Sequence, residues 1–332
     1  VRAVAVIEPS QIAEARREAG KAAAAIGFSE TDVGRTALVA SELATNLIKH
    51  GGGGELLIGN YDDPTGNGIE LIALDKGSGV ADLQSCLQDG YSSTGTAGHG
   101  LGAIRRQSQV MEVVSWPGLG TAVLARLSIE KTAADNGRHA PWGSISIALR
   151  GEEVCGDMCA VMDTPVGRTL IVADGLGHGS GAAIAATEAI RLFQSHQSRS
   201  VAEILDCLHA GLRATRGAAV AVARFHLEQG KVVYGGIGNI VGVVAASSGT
   251  RRMVSLNGTA GHVARKVQTF DYPYHDGVVV MCSDGLATNW SLERYPGLLQ
   301  AHPSLVAAVL YRDFGRSRDD ATVLVASALT DA

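Results

Sequence analysis

Nothing in this chain approaches the roughly 20 consecutive apolar residues that a membrane-crossing helix requires, and its first residues carry no signal-peptide pattern. Lysine and arginine never gather into a block, and the formal net charge is −5. Both features argue against nucleic acid or an anionic membrane as the main partner. Prolines are few. The five cysteines, Cys86, Cys155, Cys159, Cys207 and Cys282, form neither a CxxC pair nor a His/Cys cluster with zinc spacing, so they read as mostly buried, free thiols in a reducing compartment. These absences lead to the expectation of a cytoplasmic protein.

Glycine, by contrast, is abundant. The 42 glycines in 332 residues are nearly double the usual share and point to tight turns and to loops that hold phosphate or metal. With 46% hydrophobic and 18% charged residues the chain is globular, and its length is about twice that of a common domain, so two domains with separate cores are expected.

In the first part, Arg2 to Ile7 alternates like a strand, Pro9 and Ser10 open a helix running to about Ile26, and Ser29 with Asp32 caps a longer helix ending at His50. Leu38, Leu43, Leu47 and Ile48 are expected to face the core from it. Glu42 and Asn46 stand at i and i+4, on one face, bordering that apolar stripe. Alone, such a pair also reads as a solvated edge. Strands follow at Glu55 to Asn60 and Ile69 to Leu74, the second running into Asp75-Lys-Gly-Ser-Gly79. A short helix from Val80, a polar loop from Asp89 to Gly98, and a helix opened by Gly98-His-Gly-Leu-Gly102 and containing Ile104 and Val110 come next. Gly118 to Thr121 then joins two last strands.

A glycine-rich loop at a helix start is weak evidence for phosphate by itself, and the dinucleotide-binding GxGxxG spacing is not met. The ordered set is stronger. Glu42xxxAsn46, the DxGxG of Asp75 to Gly79, the GxGxG of Gly98 to Gly102 and Gly120-Thr121 resemble the GHKL ATPase and kinase superfamily, and the segment after Asp75 looks like the anti-sigma-factor and stressosome switch serine kinases. The resemblance implies an α/β sandwich that binds ATP with Mg²⁺. Asn46 would hold the Mg²⁺, Asp75 the adenine amino group, with Gly77, Gly79 and Thr121 around the base. Gly98, Gly100, Leu101 and Gly102 would cradle the phosphates under a lid at residues 90 to 98. Glu42 would be the base for a serine hydroxyl. The four glycines after His50 depart from the pattern and are expected to loosen the end of the Asn46 helix.

The polar stretch EKTAADNGRHAP lacks an apolar period and ends in proline, which places a linker at residues 129–141 between a first domain at 1–128 and a second at 142–332. In the second domain Leu170 to Ala173 is a short apolar strand, and it leads through Asp174-Gly-Leu-Gly-His-Gly179 into an Ala-rich helix. Strands are expected at 218–228, 231–234, 240–245, 252–256 and 278–282, a full helix over Pro303 to Phe314 and a closing strand over Ala321 to Ala326. Acidic residues recur at strand ends: Asp157, Asp174, Asp284 and the pair Asp319-Asp320. Several carboxylates converging without His or Cys partners suit a hard, oxygen-seeking cation. Asp-Gly pairs also mark plain turns, and one or two of these fit that reading.

In this order, and with VADGLGHG leading into the Ala-rich helix, they resemble the PPM metal-dependent protein phosphatases of the SpoIIE-like branch. The resemblance implies an αββα sandwich in which Asp157, Asp174, the Gly175 carbonyl, Asp284 and Asp319 or Asp320 hold two Mn²⁺ or Mg²⁺ ions. Asp174 would be central to catalysis, and the substrate a phosphoserine. Cys155 stands where the family has glycine, a thiol close enough to the metals to raise the question of oxidation. His178 would stabilise the turn or donate a proton. Together the two resemblances imply a bacterial partner-switching protein whose partners are a STAS-domain phosphoprotein and an anti-sigma or sigma-related protein. A first domain that binds ATP without transferring phosphate, acting only as a regulator, is the alternative.

Overall fold

The computed structural model describes residues 1–80, 100–129, 140–165, 167–264 and 267–328. The chain divides into two compact units, Val1–Ala140 with Gln300–Val309, and Pro141–Leu299 with Leu310–Ala332.

In the first unit, strands β1 (Arg2–Val6), β2 (Gly54–Asp63), β3 (Gly66–Asp75), β4 (Val110–Trp116) and β5 (Gly120–Ser128) form one antiparallel sheet in the order β1-β2-β3-β5-β4. Helices α1 (Ser10–Ala25), α2 (Glu30–Gly51) and α3 (Gly100–Gln107) bury Ala15, Ala19, Val39, Ala40, Leu43, Leu47 and Ile104 against Leu56, Ile58, Ile69, Leu71 and Val123. Ser29 caps α2, its hydroxyl accepting from the Asp32 amide at 3.2 Å, which satisfies one of the donors left free at a helix start. The buried stripe of α2 runs through Thr36, Ala37, Val39, Ala40, Leu43, Ala44 and Leu47. Leu38, expected in the core, is 46% exposed, because it lies about 140° around the helix from Leu43. Val110 likewise opens β4 instead of continuing α3: Gln109 donates to the Arg126 carbonyl, drawing the chain into the sheet.

The other face of β3 and β5 carries a buried polar set. Glu70 and Arg126 sit opposite one another in the ladder, and Arg126 donates to Glu70 and to Asp63, both at 2.7 Å, with its guanidinium 4.3 Å from the Tyr61 ring centre. Within the same unit Ser304 donates to Glu70 at 2.9 Å. Burial alone would lower the Arg126 pKa, and the two carboxylates more than offset it, so it is raised.

In the second unit two five-stranded antiparallel sheets stack. One runs Phe270–Pro273 (β15), Lys231–Ile237 (β10), Ala218–His226 (β9), Gly167–Gly175 (β8) and Asp157–Thr164 (β7). The other runs Gly249–Met253 (β12), Val241–Ala246 (β11), Val278–Cys282 (β16), Ala321–Ala326 (β17) and Trp142–Ile147 (β6), and a small ribbon pairs Gly258–Thr259 (β13) with Val263–Ala264 (β14). Leu170, Val172, Ala221 and Tyr234 from the first sheet meet Val244, Val279, Met281 and Leu324 from the second. The alternate residues Ile171, Ala173, Val220 and Val222 turn to the opposite face, under helices α4 (Ser180–Ser195) and α5 (Val201–Gly211). The expected helix Pro303–Phe314 (α6) and closing strand are present with those bounds. The strand expected at 252–256 lies at Gly249–Met253, and β15 was not foreseen, since Phe-Asp-Tyr-Pro offers only an edge strand ending in proline. No described helix is long and apolar enough to cross a membrane.

Removing Arg126 leaves two carboxylates buried without their cation, which typically costs about 3–5 kcal/mol. Arg126→Ala is expected to move the chemical-denaturation midpoint of the first unit down accordingly; an unchanged midpoint would mean that Glu70 and Asp63 find other partners.

Candidate functional sites

In the first unit Glu42 and Asn46 stand side by side on α2, and α3 begins directly over them. A Cβ on Gly100 would lie 3.2 Å from Asn46 Oδ1 and 3.4 Å from Glu42 Oε2, so only glycine lets the helix start approach these side chains. Asn46 Nδ2 is buried and has no hydrogen-bond partner. Asp75, at the end of β3, accepts from the Gly77 amide at 2.8 Å and the Thr121 amide at 3.1 Å, and Thr121 Oγ1 meets Ser115 Oγ at 2.8 Å. Gly51, the first of the four glycines, makes room for Asp75, since a Cβ there would be 2.6 Å from Asp75 Cβ. Gly52 then ends α2 in the left-handed region, its amide returning to the Leu47 carbonyl. The glycines expected to loosen the helix end thus let it close against the carboxylate. Leu101 and Gly102 lie in the first turn of α3, and Gly79 follows Asp75 and Gly77 on the chain. Gly98 and the expected lid at 90 to 98 lie outside the described residues. A polar pair under a helix N-terminus with an orphaned amide, and an Asp fixed by backbone donors nearby, fits a nucleotide with its metal.

In the second unit the strand-end aspartates come to one end of the sandwich. Asp157 and Asp174 are paired across β7 and β8, while Asp284 follows β16 and Asp319 precedes β17, which are themselves paired. Asp157 is 3% exposed, accepts a hydrogen bond from Ser283, and leaves Oδ2 buried without a partner. Burial, then the neighbouring carboxylates, pushes Asp157 and Asp174 well above the usual carboxylate range, and Asp284 rises for the same reasons, held back by Arg316, Asn239 and Arg318. Among the described residues no three His, Cys, Asp or Glu side chains close into a ready coordination set; the aspartates share a field and not yet a point. All-oxygen donors, an orphaned carboxylate oxygen and uncompensated negative charge fit hard divalent cations.

Asp319 and Asp320 separate clearly. Asp320 is 2% exposed and accepts from the Leu149 amide at 2.7 Å and the Gly156 amide at 2.9 Å, tying β6 and the start of β7 together. Asp319 accepts from the Asp320 amide at 2.9 Å and from no other group among the described residues. Gly175 is held by its amide to the Gly156 carbonyl at 3.1 Å. Burial, with Asp157 beside it, pushes the Cys155 thiol up to about 12. Of the described cysteines only Cys282 is fully buried. His178 Nδ1 lies 2.6 Å from Glu152 Oε1, a contact that ties the glycine loop to the segment before β7. Three side chains escaped the sequence reading. Asn239 donates to Asp284 at 2.7 Å, Ser283 bonds Asp157 and receives the Thr322 amide, and Glu152 holds His178. Asn239 and Glu152 read from sequence as turn and surface residues, and only the fold brings them to the aspartates and the glycine loop.

These geometries describe an α/β sandwich built on one antiparallel sheet, followed by a sandwich of two stacked sheets with helices against one of them. Comparison with known proteins agrees. Residues 6–127 match the histidine kinase-like ATPase domain and residues 166–328 match stage II sporulation protein E (SpoIIE). The serine/threonine-protein kinase RsbT of Bacillus subtilis (strain 168) is 31% identical over 122 residues, covering 37% of this chain and 92% of RsbT. The phosphoserine phosphatase RsbX of the same organism is 25% identical over 138 residues, covering 41% of this chain and 69% of RsbX. A chain from a solved structure of the bacterial stressosome, described as a modular system adapted to control secondary messenger signaling, is 28% identical with a TM-score of 0.53, covering 56% of this chain and 98% of that one. The chain belongs to the RsbT-related family of histidine kinase-like ATPase domains and joins such a domain to a SpoIIE-type phosphatase domain, the two-domain architecture of bacterial partner switching.

The raised aspartates make stability depend on pH in a fixed sense. The folded chain without metal holds protons that the unfolded chain releases near pH 4, so stability is fullest below that value and is lost as pH rises through the raised folded pKa values. In EDTA the melting temperature is expected to be higher at pH 5.5 than at pH 8, and Asp174→Asn to shrink the difference. A melting temperature that climbs with pH, unaffected by the substitution, would contradict this.

Proposed function

We propose that the chain dephosphorylates phosphoserine on a small STAS-type protein in a partner-switching system, under the influence of a first unit that binds ATP with Mg²⁺. The observation that carries the phosphatase reading is the set of aspartates at one end of the sandwich, raised by burial and by one another. Asp157, Asp174, the Gly175 carbonyl, Asp284 and Asp319 would hold two Mn²⁺ or Mg²⁺ ions. Asp320, already engaged by two amides, would brace the loop. When bound, the ions supply a water of lowered pKa and neutralise charge on the phosphoryl oxygens. The chain's own part is positional: Asn239 aims the Asp284 carboxylate, Ser283 aims Asp157, and Glu152 with His178 steadies the loop after Asp174.

In the first unit Asp75 would accept the adenine amino group, with Gly77, Gly79 and Thr121 beside the base. Asn46 would hold Mg²⁺, and the start of α3 at Gly100, Leu101 and Gly102, preceded by Gly98, would cradle the phosphates. Phosphoryl transfer to a protein serine is a second reading, favoured by Glu42, whose carboxylate borders the start of α3 and suits general-base work. The alternative is a non-catalytic ATP-binding regulator, with an anti-sigma or sigma-related protein as its partner. The two separate when labelled ATP is offered with a STAS protein to the Asp174→Asn chain, in which dephosphorylation is silenced. Label on serine, lost again in Glu42→Ala, supports the kinase; none supports the regulator.

Hydrolysis of p-nitrophenyl phosphate is expected to need Mn²⁺ or Mg²⁺ and to fall at least about 100-fold in Asp284→Asn, since each ligand sets the charge and position of the ions. Asp75→Asn is expected to abolish ATP binding and to leave this hydrolysis measurable. Full activity in excess EDTA would remove the metal assignment, and unchanged nucleotide affinity would reduce Asp75 to a turn residue.

A further inference from the structure

Between Asp174 and α4 the chain crosses a loop of Gly175, Leu176, Gly177, His178 and Gly179. One cation lies on this loop that neither fold nor sequence pattern accounts for. Arg216 immediately precedes Gly217, whose carbonyl accepts from the Leu176 amide at 3.0 Å, and β9 then sets Ala219 opposite Asp174 and Ala218 opposite Gly175. The backbone of Arg216 is therefore tied to the strand end that carries Asp174. Its side chain reaches over the loop: a Cβ on Gly181 would come within 2.7 Å of Nη1, and one on Gly177 within 3.6 Å.

Arg216 is exposed and has no hydrogen-bond or ion-pair partner among the described residues. Glu152, which lies against Gly179 of the loop, is engaged by His178 at 2.6 Å, and Glu188 on α4 by Arg191 at 2.7 Å. Other guanidiniums of this unit are fixed to structure, Arg168 to Asp163 and two carbonyls, Arg224 to Thr169 and two carbonyls, Arg316 to the Asp284 carbonyl. A planar cation lying over the glycine loop that follows Asp174, with its donors uncommitted, matches the geometry that binds a phosphoryl group through paired N–H donors. The aspartates repel the same group. Resting on the phosphatase reading above, we propose that Arg216 receives the phosphoryl oxygens of the substrate at the mouth of the aspartate cluster, and that Gly181 is glycine because the guanidinium occupies the space of its side chain.

Steady-state kinetics on p-nitrophenyl phosphate and on a phosphoserine-bearing STAS protein, at saturating Mn²⁺, test this. Loss of one or two charge-assisted hydrogen bonds predicts a KM raised about tenfold or more for both substrates in Arg216→Ala, partly restored in Arg216→Lys. Gly181→Ala keeps every charge and suits a helix, yet displaces the guanidinium, and is expected to raise KM in the same way. Arg213→Ala, which removes a neighbouring exposed cation, is expected to leave KM unchanged. The assignment is overturned if KM for p-nitrophenyl phosphate is unmoved in Arg216→Ala, if only the protein substrate is affected, or if Arg213→Ala has the same effect. An intact chain inactive on both substrates overturns the phosphatase reading and this assignment with it.

Discussion

Like charges drawn into one partly dry place govern the second unit. Asp157, Asp174, Asp284 and Asp319 lie at the ends of strands from two different sheets, and packing those sheets face to face brings the carboxylates together whether or not they gain from it. The apolar interdigitation of Leu170, Val172, Met281 and Leu324 supplies the free energy that holds them there, since burying unpaired carboxylates opposes folding. Arg316 and Arg318 offset part of the charge at Asp284, while Asp157 keeps a buried oxygen with no hydrogen-bond partner among the described residues. Carboxylates held together at such a cost mark a candidate functional site.

The first unit solves the opposite problem. Its buried charges at Glu70, Asp63 and Arg126 are matched within the chain, whereas its candidate site leaves one amide nitrogen of Asn46 unmatched beneath a helix start. Asp75 is preset by two backbone amides, so a carboxylate oxygen is fixed in direction before any base arrives. Preset acceptors and donors of this kind reduce the ordering cost of binding.

Much of this was legible from sequence because the informative residues sit where local rules are strong. Asp174 follows a short β-branched run and precedes glycines, Ser29 and Asp32 announce a cap, and Pro303 and Ala321 open elements whose bounds the structure reproduces. The misses are tertiary in origin. Leu38 looks apolar enough to be buried, but the stripe through Val39, Ala40, Leu43, Ala44 and Leu47 decides which face of α2 packs and leaves Leu38 off it. Val110 keeps a helical spacing from Ile104 until the Arg126 carbonyl captures the chain. Asp319 and Asp320 are indistinguishable as letters and differ only once the Leu149 and Gly156 amides claim one of them. Asn239, Glu152 and Arg216 carry no local signal, because each acts across more than 25 positions of sequence on a loop it meets only in the fold.

The phosphatase reading stands or falls with two hard cations held by the aspartate cluster. Calorimetric titration of the nucleotide-free chain with Mn²⁺ addresses it directly. Two ions bound per chain are expected, with protons released as they bind because the carboxylates start partly protonated, and with loss of at least one ion in Asp174→Asn. Absence of Mn²⁺ and Mg²⁺ binding, or the same stoichiometry and proton release in Asp174→Asn, would contradict it.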